Sequence, residues 1–120
     1  MATRTSLTSA DYARLAVDVA SDKLAADIVM LDIREVCSFA DYFVVMSADS
    51  GRQVAALTED LEAALKAEGA ALHHREGSSN SGWVLLDFSD VIVHILRPEE
   101  RDFYRIEEAW SNAVEVVRVQ

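Results

Sequence analysis

Between Gly82 and Trp110 the chain alternates apolar and polar positions and then winds. Trp83-Val84-Leu85-Leu86-Asp87 reads as one strand and Val91-Ile92-Val93-His94-Ile95-Leu96 as the next, with Phe88-Ser89-Asp90 turning between them. Arg97-Pro98-Glu99-Glu100 then opens a helix whose spacing puts Phe103, Ile106 and Trp110 on one side. Upstream, Tyr12, Leu15, Ala16, Val19 and Ala20 recur at helical spacing, so Ser9 to about Leu24 is a helix with Ser9 as its N-cap. Asp27 to Ile33 and Tyr42 to Ser47 are short, nearly unbroken apolar runs, the signature of interior strands.

The next helix has the firmest punctuation. Ser50-Gly51-Arg52-Gln53 is a capping box, Val54, Leu57, Leu61 and Leu65 recur at three and four residues, and Gly69 closes the end. Ala71–Arg75 reads as an edge strand, Glu76–Gly82 as a flexible loop, and Ala113–Val119 as an apolar tail to which spacing assigns no state. The order is α-β-β-α-β-β-β-α in a single domain over residues 1–120, with 111–120 set apart as a candidate flexible tail. That order predicts an α/β fold, a mixed β-sheet flanked by helices, with one helical layer covering the apolar stripes.

Composition narrows the function more than the fold. A chain of 120 residues with 51% hydrophobic content supplies one core without a staple. Cys37 is the single cysteine, which rules out an internal disulfide and suits a reducing compartment. No run reaches the roughly 20 apolar residues of a membrane span, and the polar start with Arg4 fits neither a signal nor a transit peptide. A cytoplasmic protein is expected. Five basic and ten acidic residues in 1–60, and six and eleven in 61–120, spread the net charge of −10 evenly. Such a surface repels phosphate backbones and speeds encounter with a basic protein.

Catalytic sets are hard to assemble. Asp87 and Asp90 on a later strand, together with the Ser50–Gly51 pair before a helix, invite a nucleotidyltransferase reading, with phosphates at the helix N-terminus and magnesium between the carboxylates. Carboxylates sharing a metal from one strand normally sit two apart on one face, whereas these are three apart across a turn. His73, His74 and His94 form no spaced ligand cluster, His94 reads as a hydrogen-bonded sheet residue, and Cys37 as a small packed one. Neither metal nor cofactor is expected. Trp83, at the head of the hairpin, either covers the end of the core or centres a binding patch with Tyr104, which falls off the helical stripe. Asp41, Asp87, Asp90, Glu99 and Glu100 would then form an acidic rim suited to a basic partner.

The blocks Asp27–Asp32, Asp41-Tyr42-Phe43-Val44-Val45, Ser50-Gly51-Arg52-Gln53-Val54, Glu76-Gly77, Gly82–Phe88, Asp90–His94 and Phe103-Tyr104 to Trp110 follow one another at characteristic spacing. In that order they resemble the Iojap-like family, the bacterial ribosomal silencing factors and their organellar relatives, from about Ala10 to Trp110. The resemblance implies a nucleotidyltransferase-like fold without a catalytic site. It also implies a translational repressor that docks on the large ribosomal subunit through large-subunit ribosomal protein fourteen, blocks subunit joining, and pairs as a homodimer when free. The contact residues it implies are Asp41, Tyr42, Trp83, Asp87, Asp90 and Tyr104. Two departures concern the hairpin tips: Ser89 stands where many members carry glycine, and Ser78–Ser81 is more polar than typical.

Overall fold

The computed structural model describes residues 7–120, so the reading of the amino-terminal stretch around Arg4 lies outside the described residues. Six strands form one mixed sheet in the order β3-β4-β5-β2-β1-β6. They are β1 (Ala26–Asp32), β2 (Tyr42–Ser47), β3 (His74–Ser78), β4 (Trp83–Asp87), β5 (Val91–Leu96) and β6 (Val114–Val119). The central pair β2 and β5 is parallel and the other neighbours are antiparallel. Every residue of β2 and β5 is buried, as their unbroken apolar runs require of strands covered on both faces.

Helices α1 (Ser9–Asp22) and α2 (Gly51–Ala67) lie on one face. Ala13, Ala16, Val17 and Ala20 of α1 and Val54, Leu57, Leu61 and Leu65 of α2 pack there on Ile28, Met30, Val44, Met46, Val84, Leu86, Val93 and Ile95. The N-cap of α1 is Thr8 rather than Ser9: its hydroxyl accepts from the Asp11 N–H at 3.2 Å, and the Asp11 carboxylate accepts from the Thr8 N–H at 2.9 Å. Ser9 instead donates its hydroxyl to Asp41 at 2.7 Å. Half of the expected box stands at α2. Ser50 accepts from the Gln53 N–H at 3.1 Å, but the Gln53 side chain accepts from the Asp49 N–H and donates to the Leu24 carbonyl, tying the two helix ends together. Gly69, with φ +102°, ends α2 as expected.

Four further expectations need correction. The helical covering is not one layer, because a second cluster on the opposite face joins Val29, Leu31, Phe43, Val45, Ile92 and Leu96 to Ile33, Ala40 and Ile106. The last helix is broken: α3 (Pro98–Tyr104) stops at Arg105, whose φ of 49° is left-handed, and α4 (Ile106–Ala109) restarts at another angle. The break lets Ile106 be buried while α3 itself buries nothing. Arg101 secures the segment by donating to Ser47 Oγ and to Glu107, each at 2.8 Å. Third, the edge strand lies at His74–Ser78, so Glu76-Gly77-Ser78 is ladder rather than loop, with every residue exposed. Fourth, the apolar tail is β6, paired antiparallel with β1.

The hairpin between β4 and β5 forms as expected, with Phe88 N–H donating to the Val91 carbonyl at 2.9 Å. Ser89 keeps the turn at φ 76°, and its N–H donates to Asp87 Oδ1 at 2.7 Å. A serine held left-handed stores strain that glycine does not, partly offset by glycine's greater freedom when unfolded. Ser89→Gly is therefore expected to stabilise the fold by about 1 kcal/mol, read as a melting temperature about 4 °C higher. A lower melting temperature would mean that the serine hydroxyl, not the strain, decides the balance.

Candidate partner-binding face

The second face of the sheet carries a diagonal row of aromatic rings. Phe43 on β2 lies beside Ile92, His94 is two residues further along β5, and Trp83 on β4 pairs with Leu96 two further still. Each step is thus the diagonal neighbour across one strand, within reach of a large ring. Ring centroids are 5.0 Å apart for Phe43 and His94, 5.9 Å for His94 and Trp83, 4.6 Å for Trp83 and Tyr104, and 5.0 Å for Tyr104 and Phe103. In the other direction Trp110 stands edge-on to Phe43 at 5.0 Å and meets Phe39 at 6.4 Å. The middle of the row is core, but its ends reach solvent: Phe39 is 62% exposed, Phe103 79% and Tyr104 50%. A soluble surface rarely keeps such rings uncovered side by side without a use for them.

His94 fixes the centre of the row. Its Nδ1 accepts from Trp83 Nε1–H at 3.2 Å, which leaves the ring proton on Nε2, a buried atom with no partner among the described residues. The sequence reading of a hydrogen-bonded sheet residue is right, and its donor is the tryptophan. Burial pushes His94 down to about 4, whereas an unfolded histidine titrates near 6.5. The unfolded chain therefore takes the proton first as pH falls. The folded state keeps its full advantage above about pH 6.5 and loses it progressively towards pH 4. By pH 4.5 this one group is expected to cost roughly 2–3 kcal/mol. Urea midpoints at pH 7 and 4.5 check this, since His94→Gln removes the titration and should fall less between the two.

The implied contact residues separate into two groups. Trp83 and Tyr104 touch each other at one end of β4, beside a notch of about 310 Å³ lined by Glu76, Gly77, Ser81, Trp83, Leu85 and Tyr104. Gly77, at φ +82°, is obligatory there, because a Cβ would run into the Trp83 carbonyl oxygen. Asp41, Tyr42, Asp87 and Asp90 gather at the other end, where the Asp90 carbonyl accepts from the N–H groups of Asp41 and Tyr42 at 2.8 and 3.1 Å. Four strand steps from Trp83 to Asp87 separate the groups by roughly 13 Å. Tyr42 is 5% exposed, in the core beneath the Arg34 guanidinium, and does not offer its own ring, while the Asp41 carboxylate accepts from the Ser9 hydroxyl of α1. Asp90 is exposed, while Asp41 and Asp87 are half-buried.

The sequence missed two exposed rings. Phe103 was expected on a buried stripe, and the break at Arg105 turns it outward. Phe39 was not singled out, although an aromatic inside polar Ser38-Phe39-Ala40-Asp41 was the available signal. The phosphoryl-transfer arrangement does not assemble. Asp90 precedes the first residue of β5, whereas Ser50 and Gly51 follow the far end of its parallel partner β2, so roughly 17 Å of strand lies between them. Among the described residues no three His, Cys, Asp or Glu side chains converge as a metal site. Cys37 is half-buried against the second cluster.

Fold and face define a small α/β protein whose second sheet face carries a row of rings with exposed ends, and a separate group of acids at the far end of β4. Residues 6–120 match the family described as ribosomal silencing factor during starvation, and the chain belongs to that family. It is similar to the ribosomal silencing factor of Halalkalibacterium halodurans, 31% identical over 107 residues that cover 89% of this chain and 92% of that protein. It is similar too to the chloroplastic Iojap protein of Zea mays, 33% identical over 97 residues, 81% of this chain and 42% of that protein. A crystal structure of a protein from Chromobacterium violaceum superposes with a TM-score of 0.84 at 34% identity, covering 88% of each chain.

Proposed function

We propose that the protein silences translation by docking on the large ribosomal subunit and blocking the small subunit from joining it. The observation that carries this reading is the aromatic row, which ends in exposed Tyr104 and Phe103 on a chain of net charge −10. Aromatic anchors on so acidic a chain suit a basic protein surface better than naked RNA. Large-subunit ribosomal protein fourteen is the partner this reading names. Trp83 and Tyr104 form the centre of the contact, Asp41, Asp87 and Asp90 an acidic margin towards the other end of β4, and buried Tyr42 anchors the start of β2 beside Asp41. The effect is steric and no reaction is catalysed. A body of 13.2 kDa held through a standard interface of roughly 800 Å² per partner is large enough to occlude a bridge between subunits. The free protein is a cytoplasmic homodimer.

Light scattering of separated subunits in the presence of the protein tests the reading, followed by sedimentation to see which subunit carries it. Joining is expected to fail, with the protein on the large subunit. Normal joining with the protein on neither subunit would overturn the proposal, and magnesium-dependent nucleotide binding by calorimetry would then decide for the phosphoryl-transfer alternative.

A further inference from the structure

The notch between β3, β4 and α3 has a chemical character of its own. Trp83, Tyr104 and Leu85 supply its apolar walls, and Glu76 is the one carboxylate in its lining, where no cation stands. The ladder explains the placement, because Glu76 on the edge strand β3 pairs directly with Leu85 on β4 and so projects on the face that carries Trp83. The two arginines nearest Tyr104 along the chain are paired with other carboxylates: Arg101 holds Glu107 at 2.8 Å and Arg105 lies 3.4 Å from Glu108. Among the described residues Glu76 itself meets the exposed His74 Nε2, at 3.1 Å. A volume of about 310 Å³ is at the small end of ligand cavities and suits one long side chain rather than a cofactor.

Resting on the docking reading above, we propose that this notch is the subsite for one cationic side chain of the basic partner, an arginine by preference. Two tilted rings with centroids 4.6 Å apart present electron-rich faces to a cation, and a carboxylate at the rim accepts its N–H groups. Arginine fits better than lysine because its planar guanidinium stacks on rings and forks onto a carboxylate together. The notch thereby supplies a specificity element that a general acidic surface lacks: it selects a protruding arginine flanked by space for Tyr104 and Phe103.

The test uses the whole protein labelled with nitrogen-15 and the probe acetyl-Gly-Arg-Gly-amide, with lysine and citrulline counterparts. The indole N–H resonance of Trp83, assigned through Trp110→Phe, should shift saturably with the arginine peptide, less with lysine and not with uncharged citrulline. Glu76→Gln, at an exposed edge position and checked for an unchanged melt, should weaken the arginine response roughly tenfold. Equal responses to citrulline and arginine, an unaltered response in Glu76→Gln, or no saturable shift up to the solubility limit would each overturn the subsite. Sedimentation with the large subunit separates the two readings. Binding of the unaltered protein without arginine selectivity leaves docking standing and removes the notch, whereas arginine selectivity without subunit binding removes the docking reading and keeps a cation site.

Discussion

Trp83→Ala is expected to weaken binding to the large subunit by about 2 kcal/mol or more, a loss of roughly thirtyfold. Its ring joins the buried part of the aromatic row to the exposed part, meeting His94 on one side and Tyr104 on the other. Removing it opens the notch, takes one of two ring partners from Tyr104 and strands His94, whose Nδ1 loses its donor while its Nε2–H already lacks an acceptor among the described residues. The fold should suffer as well, by about 2–3 kcal/mol, at the lower end for a large aromatic because the side chain is only half-buried. The two effects separate with Trp83→Phe. That variant keeps a ring against Tyr104 but leaves the buried histidine unpaired, so it should lose about 1 kcal/mol of stability and much less affinity. Sedimentation of each variant with large subunits, beside its melting curve, gives both numbers. A folded Trp83→Ala protein that binds as tightly as the parent would take the tryptophan out of the interface.

Ending the chain after Ala113 is expected to do more damage to the fold than any single substitution discussed above. β6 pairs with β1 from Ile28 to Asp32, and Val117 and Val119 pack on the core from the edge. Deletion uncovers the ladder groups of β1 and moves apolar Ile28, Val29 and Met30 to a sheet edge. With ladder bonds contributing about 1 kcal/mol each, the loss comes to about 4 kcal/mol, a large share of the 5–15 kcal/mol typical of a small domain. The melting temperature should fall by about 15 °C, and the bared apolar edge should promote association between copies. A shortened chain melting within a few degrees of the parent would show that β6 adds little to the sheet.

These two regions also mark what was legible in the sequence. The β4–β5 hairpin and β2 were readable to the residue because apolar runs bounded by Phe88-Ser89-Asp90 or by polar connections have one reading. The stripe of α2 was readable because Val54, Leu57, Leu61 and Leu65 are all buried on one face. β6 was not, and the cause is local. Leu31 pairs with Glu115 and Met30 with Val117, so Val116 is an extra residue in a bulge, and it breaks the period-two alternation that marks a strand. β3 was misplaced because all of its residues are exposed and its Glu-Gly-Ser composition is that of a loop. Position 105 carries arginine rather than glycine, so nothing in the composition announces the left-handed break that turns Phe103 outward.

The candidate site was legible by parts. Trp83 and Tyr104 were picked out as a pair, and they touch. The acids were expected around them, yet the strand direction puts Asp87 and Asp90 at the opposite end of β4, a separation that follows from ladder geometry and not from residue type. Glu76 escaped notice because the edge strand that aims it was read as a loop.

The pairing order of the sheet bears on when the protein becomes active. β2 must wait for β5, its parallel neighbour some fifty residues later in the chain, and β1 must wait for β6, the last strand. Contacts between such distant segments form late, after the entropy of closing the loops between them has been spent. A nascent copy still threaded through its own ribosome therefore lacks a finished aromatic face, because the strands beneath Phe43 and Trp83 are not yet enclosed. On the docking proposed above, a copy would gain its grip only after release, and a ribosome would be silenced by a copy made earlier and not by the one it is making.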